Sequence, residues 1–231
     1  MDLFYSKNIL EHRLSLDESK HCLISLRKNV HDQILITDGK GLIYTAEIKK
    51  IDNHHVIYDN LDIVHKDMRS KKLHIVVAPP KNKVRFEWLL EKVTEIGVDM
   101  ISPIICEHSE RVKINQLRSE RVLISAMKQS KNSILPTLNK IESFEKILKK
   151  YTRNTYIAHC YDTDKMLLKN VEKMIKQTTD ITLFIGPEGD FSKKELNFAE
   201  KEGVIPITLG TQRLRTETAA IVGCYMIKSL M

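Results

Sequence analysis

The chain has 231 residues, 42% apolar and 29% charged, enough apolar material for a buried core in one large domain or two modest ones and too much for a disordered chain. Its net charge of +7 suits a polyanionic partner, and the excess is lopsided: 12 basic against 11 acidic residues over 1–72, and 25 against 19 beyond. Four scattered cysteines without a CxxC pair exclude a zinc ribbon or a thioredoxin-like site, and nine histidines without HExxH or ligand spacing ask for no metal.

A strand over Leu3–Tyr5 opens the chain, and Ser15-Leu16-Asp17-Glu18 has capping-box spacing, predicting a helix to about Arg27. Gln33–Thr37, the turn Asp38-Gly39-Lys40-Gly41 and Leu42–Ile48 read as a hairpin. His55–Tyr58 adds a strand, so short strands with one helix predict a small β-barrel over residues 1–72 that ends in the charged stretch Lys66–Lys72. From Leu73 strands alternate with helices. Strand Leu73–Ala78 is continuously apolar, as in a sheet covered on both faces. Helix Lys83–Ile96 stops at Gly97, and then come strand Met100–Cys106, helix Gln116–Ser130, a short helix near Phe144–Lys149 and strand Thr155–Cys160. Helix Lys165–Gln177, strand Ile181–Ile185, a capping box at Ser192–Glu195 with a helix to about Glu202, strand Val204–Leu209 and helix Thr216–Leu230 complete the pattern. Such alternation predicts an α/β domain over 73–231 with a mainly parallel sheet.

The eight glycines form neither GxGxxG nor GxxxxGK[ST], which excludes an ordinary dinucleotide fold and a P-loop. The opening lacks the order of a secretory signal, and the most apolar run, Ala219–Ile227, is far shorter than a membrane span, so a cytoplasmic protein with no membrane partner is expected. Chemistry concentrates in two loops that follow late strands: Ile185-Gly186-Pro187-Glu188-Gly189-Asp190-Phe191-Ser192, and Leu209 through Ala219, which enters the last helix with Thr216 as N-cap. Ligands in open α/β sheets bind outside the carboxyl ends of strands, where both loops lie.

GPEGDFS and LGTQRLRTETAA resemble the C-terminal signatures of the SPOUT methyltransferase superfamily and, within it, of the ribosomal RNA small subunit methyltransferase E family. Lys92–Gly97 with Ile104, Ser125–Pro136, His21, Leu26-Arg27 and Asp38–Gly41 agree, so the resemblance spans nearly the whole chain. It implies a PUA-like RNA-binding β-barrel over 1–72 and a SPOUT domain over 73–231 with a C-terminal trefoil knot, an exception to unknotted topology. It further implies a homodimer that transfers a methyl group from S-adenosylmethionine to N3 of a uridine in 16S rRNA of the small ribosomal subunit. Ile185, Gly186, Pro187, Glu188 and Gly189 would form one wall of the cofactor pocket, and Leu209, Gly210, Leu214, Arg215, Thr216, Thr218 and Ala219 the other.

Uridine N3 carries a proton and is a poor nucleophile until that proton leaves, so a base or a cation must help. Arg215 is the candidate cation, and Glu188 or Glu217 the base or orienting group, although Glu217 also suits a helix N-terminus electrostatically. RNA contacts are expected from Arg27 and Lys40, from Lys81, Lys83 and Arg85, and from Lys131. Trp88 fits helix packing better than base stacking. Two stretches depart from the family pattern: Lys128-Gln129-Ser130-Lys131-Asn132 stands where Glu-Gln-Ser-Gly-Arg is frequent, so an expected arginine is missing, and Asp190 stands where glycine is common. Two other readings remain open, a methyltransferase acting on another RNA such as tRNA and a catalytically inactive RNA-binding ribosome-assembly factor.

Overall fold

The computed structural model describes residues 1–231, the side chain of Lys169 excepted. Contacts divide the chain into two compact units, Met1–Met68 with Ile124–Leu135, and Arg69–Leu123 with Pro136–Met231.

In the first unit, β1 (Leu3–Tyr5), α1 (Leu16–Lys20), β2 (Gln33–Thr37), β3 (Leu42–Asp52) and β4 (His55–Lys66) build a four-stranded sheet in the order β1-β2-β3-β4. β1 runs parallel to β2 and the remaining pairs are antiparallel. Alternate residues Ile34, Ile36, Ala46, Ile48, Val56 and Tyr58 face a core that Phe4, Leu14 and Cys22 complete, and three irregularities in the β3–β4 pairing bend the long hairpin around it. Burial pushes the Cys22 thiol up to about 11, which leaves it a packing group. Only half of the predicted capping box forms at Ser15, whose hydroxyl accepts the Glu18 N–H. The Glu18 carboxylate is drawn away to the Tyr5 N–H at 3.2 Å and to Lys128 Nζ at 2.5 Å. The helix then passes at His21 into a π-turn that ends at Ser25, short of the predicted Arg27. Gly39 sits at φ +75°, and a Cβ there would fall 2.6 Å from that of Leu135, so its turn accepts only glycine.

The second unit contains β5 (Lys72–Val77), α2 (Lys83–Ile96), β6 (Met100–Ile105), α3 (Gln116–Gln129, as far as Leu123), β7 (Thr137–Leu138), β8 (Glu142–Ser143) and α4 (Phe144–Leu148). It continues with β9 (Thr155–Ala158), β10 (Met166–Leu167), α5 (Glu172–Lys176), β11 (Asp180–Ile185), α6 (Lys193–Lys201), β12 (Ile205–Thr208) and α7 (Thr216–Leu230). The strands lie in the order β10-β12-β9-β11-β5-β6-β7, with β8 also on β6, and every pairing is parallel. This is the mainly parallel α/β sheet that the alternation predicts. On one face α4 and α6 pack Phe144, Ile147, Leu148 and Ala199 against Val76, Ile104, Ile157 and Phe184. α2 and α7 pack together on the sheet. Gly223 brings α7 so close that a Cβ there would stand 2.7 Å from Leu183 Cδ2.

Two predicted elements need correction. The helix expected over Lys165–Gln177 is a short strand, a 3₁₀ turn over Leu168–Val171 and a single helical turn, because Met166 and Leu167 pair with Ile207 and Thr208 of β12. The N-cap of α7 is Arg215, with Thr216 as its first helical residue.

One buried polar group in the sheet makes stability depend on pH. His74 Nε2 is hydrogen-bonded to the Ser102 hydroxyl at 2.7 Å, Asn139 donates to that same oxygen at 2.8 Å, and the His74 ring lies 4.5 Å from that of Tyr151. Burial pulls its pKa down to about 4. Between pH 6.5 and 4 the unfolded chain therefore takes up a proton that the folded one refuses, and stability falls as pH falls through this window. His74→Gln keeps a side chain that can bond the Ser102 hydroxyl as donor or acceptor, and it removes the titration. Urea titrations at pH 7 and pH 5 should show the variant losing about 2 kcal/mol less on acidification than the parent.

Candidate active site

Ile207, Ala158, Ile185 and Val77 form one row across the C-terminal ends of β12, β9, β11 and β5. Beyond that row, the loops after β12, β9 and β11 enclose a cleft of about 520 Å³, the size of a small-molecule site.

The first wall is the loop from Gly186 to Ser192. Its far end is fixed by Phe191, fully buried with its ring 5.3 Å from that of Phe144, and by a complete capping box. There Ser192 Oγ accepts the Glu195 N–H and Glu195 Oε2 accepts the Ser192 N–H at 2.8 Å. Asp190 has φ +65°, a conformation that Asp tolerates better than most residues. Its carboxylate accepts the Phe191 N–H at 2.8 Å and, across the cleft floor, the Cys160 N–H at 2.7 Å. The side chain found where glycine is common thus ties the β11 loop to the β9 loop.

The second wall is the segment Leu209–Arg215. Thr208 Oγ1 bonds the backbone of Gly210. From Thr211 to Arg215 the main-chain N–H groups donate no hydrogen bond among the described residues, which leaves them available to a ligand. The walls are joined at their base, where the buried Thr216 hydroxyl donates to the Gly186 carbonyl at 3.0 Å.

Ten of the predicted residues line this cleft: Ile185, Gly186, Pro187, Glu188, Leu209, Gly210, Leu214, Arg215, Thr216 and Ala219. Gly189, Thr218 and Glu217 do not. Gly189 turns toward His108. Glu217 is buried, with Oε1 3.6 Å from Arg85 Nε and with no hydrogen-bond partner on Oε2 among the described residues. Glu188 is exposed, and its Oε1 accepts the Lys81 N–H at 3.0 Å, so it braces the wall. Arg213 and Arg215 are exposed on the lining and have no ion-pair partner among the described residues. His159, Cys160 and Lys165 also line the cleft and escape the sequence reading, because that reading follows the two signature loops and does not place β9 between β11 and β12. Burial, reinforced by Lys165, lowers the His159 pKa, and burial with Asp190 raises that of the Cys160 thiol.

The residues predicted to meet RNA fall in both units. In the first, Gly41 N–H donates to Ser133 O and Leu135 N–H to Gly39 O, each at 2.9 Å, which sets the Lys40 turn beside the turn that carries Lys131. Lys131, like Arg27, is exposed and has φ +53°. In the second, Lys83 is exposed, Lys81 pairs with Glu110 at 2.5 Å, and Arg85 is engaged with Glu217. Among the described residues no group of His, Cys, Asp and Glu could hold a metal ion, and no helix is long and apolar enough to cross a membrane.

A parallel sheet with a ligand-sized cleft at its carboxyl ends and one tie between two glycine-bearing loops defines an α/β ligand-binding domain. Residues 67–228 match the RNA methyltransferase domain and residues 15–57 the PUA domain of RNA methyltransferases, and the chain belongs to the RNA methyltransferase family. A probable rRNA-methyltransferase from Porphyromonas gingivalis is 34% identical, with a TM-score of 0.89 over 100% of this chain and 98% of that one. Ribosomal RNA small subunit methyltransferase E from Neisseria gonorrhoeae, in a structure bound to S-adenosyl methionine, is 25% identical, with a TM-score of 0.83 over 100% of this chain and 98% of that one. The Ribosomal RNA small subunit methyltransferase E of Aquifex aeolicus is 24% identical over 96% of each chain.

The tie between the walls is testable. Thr216→Val keeps the shape and strands the Gly186 carbonyl, so urea titration should find it about 1–3 kcal/mol less stable than the parent. Thr216→Ser, which restores the donor, should recover most of that difference.

Proposed function

We propose that this chain methylates N3 of a uridine in 16S rRNA of the small ribosomal subunit, using S-adenosylmethionine, as a cytoplasmic homodimer whose C-terminal loops form a SPOUT-type trefoil knot. The observation that carries the reading is the cleft that the two signature loops wall together, closed at its base by Thr216 and Gly186. The gonococcal relative bound to S-adenosyl methionine supports it.

The lining fits that group. Ile185, Leu209, Leu214 and Ala219 offer apolar surface to an adenine ring, and the main-chain N–H groups of Thr211–Arg215 suit its edge. When bound, S-adenosylmethionine supplies a methyl group on a sulfonium whose departure leaves a neutral thioether. The protein's task is to make uridine N3 able to accept that methyl. Arg215, exposed at the N-cap of α7 and on the lining, stabilises the anion that forms as the N3 proton passes to solvent water. Glu188 and Glu217 act one step removed: Glu188 holds the Lys81 backbone, and Glu217 sits buried beside Arg85 behind the loop. The turns carrying Lys40 and Lys131 in the PUA-like unit supply cations for the RNA backbone.

Support for the dimer comes from α7, which is apolar around its circumference. Ala220, Cys224 and Ile227 are buried, while Ile221 and Val222 are half-buried and Tyr225 is exposed. α2, which packs against α7, adds exposed Val84 and Trp88. A helix pair of this kind offers a second copy of the chain an apolar face.

Nucleoside mass spectrometry of 16S rRNA decides the reaction: 3-methyluridine should disappear when the gene is deleted and return with the parent gene, but not with Arg215→Ala. A mark lost from tRNA instead would name another RNA as substrate, and no lost mark together with intact RNA binding would make the chain an inactive assembly factor. Analytical ultracentrifugation should find the parent dimeric and a Trp88→Glu, Tyr225→Glu double variant monomeric.

A further inference from the structure

The segment after β6 touches the cleft's first wall from behind, in the same unit, through contacts that no signature motif assigns. His108 Nδ1 stands 3.1 Å from the Gly189 carbonyl and 3.1 Å from the Asp190 carbonyl. Both neighbours are acceptors, so Nδ1 carries the hydrogen and is shared between two consecutive carbonyls. The fit is steric as well: a Cβ on Gly189 would lie 3.0 Å from His108 Cβ. Beside it, the Glu107 N–H donates at 2.9 Å to Glu195 Oε1, the oxygen that the capping box leaves free. Three residues on, Arg111 donates through Nε to Pro80 O at 2.9 Å and through Nη2 to Lys81 O at 2.5 Å. Lys81 in turn holds Glu188 through its N–H.

We propose that His108 is a positioning residue for the cofactor loop. Successive carbonyls of an extended chain point to opposite sides, and here the left-handed Asp190 turns two of them toward one donor. That arrangement keeps Pro187, Glu188 and Asp190 on the cleft lining while the Asp190 carboxylate reaches the Cys160 N–H. Without the imidazole N–H, water must satisfy both carbonyls, the loop samples other conformations, and ligand binding must restore the one that forms a wall. His108 touches no lining space itself, so its loss should weaken cofactor binding and leave the chemical step alone.

The inference rests on the cleft being the S-adenosylmethionine site, and the experiment separates the two. S-adenosylhomocysteine is titrated calorimetrically into the parent and into His108→Ala, His108→Asn and His108→Gln, with melting temperatures measured for each. An asparagine amide places an N–H where Nδ1 stands, whereas glutamine places its amide near Nε2. His108→Ala and His108→Gln should bind about tenfold more weakly, the worth of one hydrogen bond, and His108→Asn within about threefold of the parent. The KM for S-adenosylmethionine should rise in the same order with kcat unchanged. Should His108→Ala fail to fold, the asparagine and glutamine variants decide the matter alone. Equal affinity of asparagine and glutamine variants, or parental affinity in His108→Ala, overturns the role of His108. No binding to the parent overturns the reading of the cleft instead.

Discussion

One hydrogen bond joins the two halves of the site: the Thr216 hydroxyl on the Gly186 carbonyl. It is buried, so it competes with no water, and it closes the gap between loops that leave strands two places apart in the sheet. The strand between them, β9, supplies the floor, and Asp190 fastens the first wall to it through the Cys160 N–H. With both walls tied at the base, the main chain beyond Gly210 can remain without internal partners, since the loop's course is set at its ends. A cleft that presents backbone to its ligand needs such external fastening, because a loop without its own hydrogen bonds has little to resist the entropy of disorder.

Much of this was legible in the sequence where the signal was local. Helix Lys83–Ile96 coincides with its predicted limits because the apolar spacing of Phe86, Leu89, Leu90 and Val93 and a left-handed Gly97 mark it within one segment. Strand β11 starts one residue before its predicted Ile181 and ends at Ile185 as predicted, and the capping box at Ser192 forms as predicted. Failures occurred where a distant partner decided. Met166 and Leu167 sit in an apolar-periodic stretch that reads as helix, and only β12, some forty residues away, makes them a strand. Ser15 to Glu18 has the right letters for a capping box, yet Lys128 and the Tyr5 N–H outbid the helix end for the Glu18 carboxylate. β9's place in the sheet order follows the same logic, and with it lining residues such as His159, Cys160 and Lys165 that sequence motifs did not supply.

The departures from the family pattern also make physical sense in place. Lys131 and Asp190 stand where glycine is common, and both adopt positive φ, at +53° and +65°. A side chain in that region costs conformational energy. Asp190 offsets it with two hydrogen bonds from its carboxylate, one to the next residue and one across the floor. Lys128, where glutamate is frequent, pairs with Glu18 inside the first unit at 2.5 Å, both side chains largely shielded from solvent.

Internal pairing decides where the net charge of +7 is presented. Arg85 faces Glu217, Arg118 is held by Glu87, Lys92 lies between Glu91 and Glu95, and Lys150 and Lys146 share Glu142. In these pairs the positive field is cancelled within a few ångströms and reaches little beyond the Debye length. The cations with no such partner among the described residues include Arg27 and Lys131 in the first unit, and Lys83, Arg213 and Arg215 in the second. Two of them, Arg213 and Arg215, lie on the cleft lining, whose other charged side chains are Lys165, Glu188 and Asp190. Glu188 and Asp190 accept backbone N–H groups and Lys165 donates to the carbonyls of His159 and Tyr161, so these three are committed to holding the loops. With three cations, Lys165, Arg213 and Arg215, against the carboxylates of Glu188 and Asp190, the lining is positive on balance, the sign that a nucleobase losing a proton and a phosphate backbone both require.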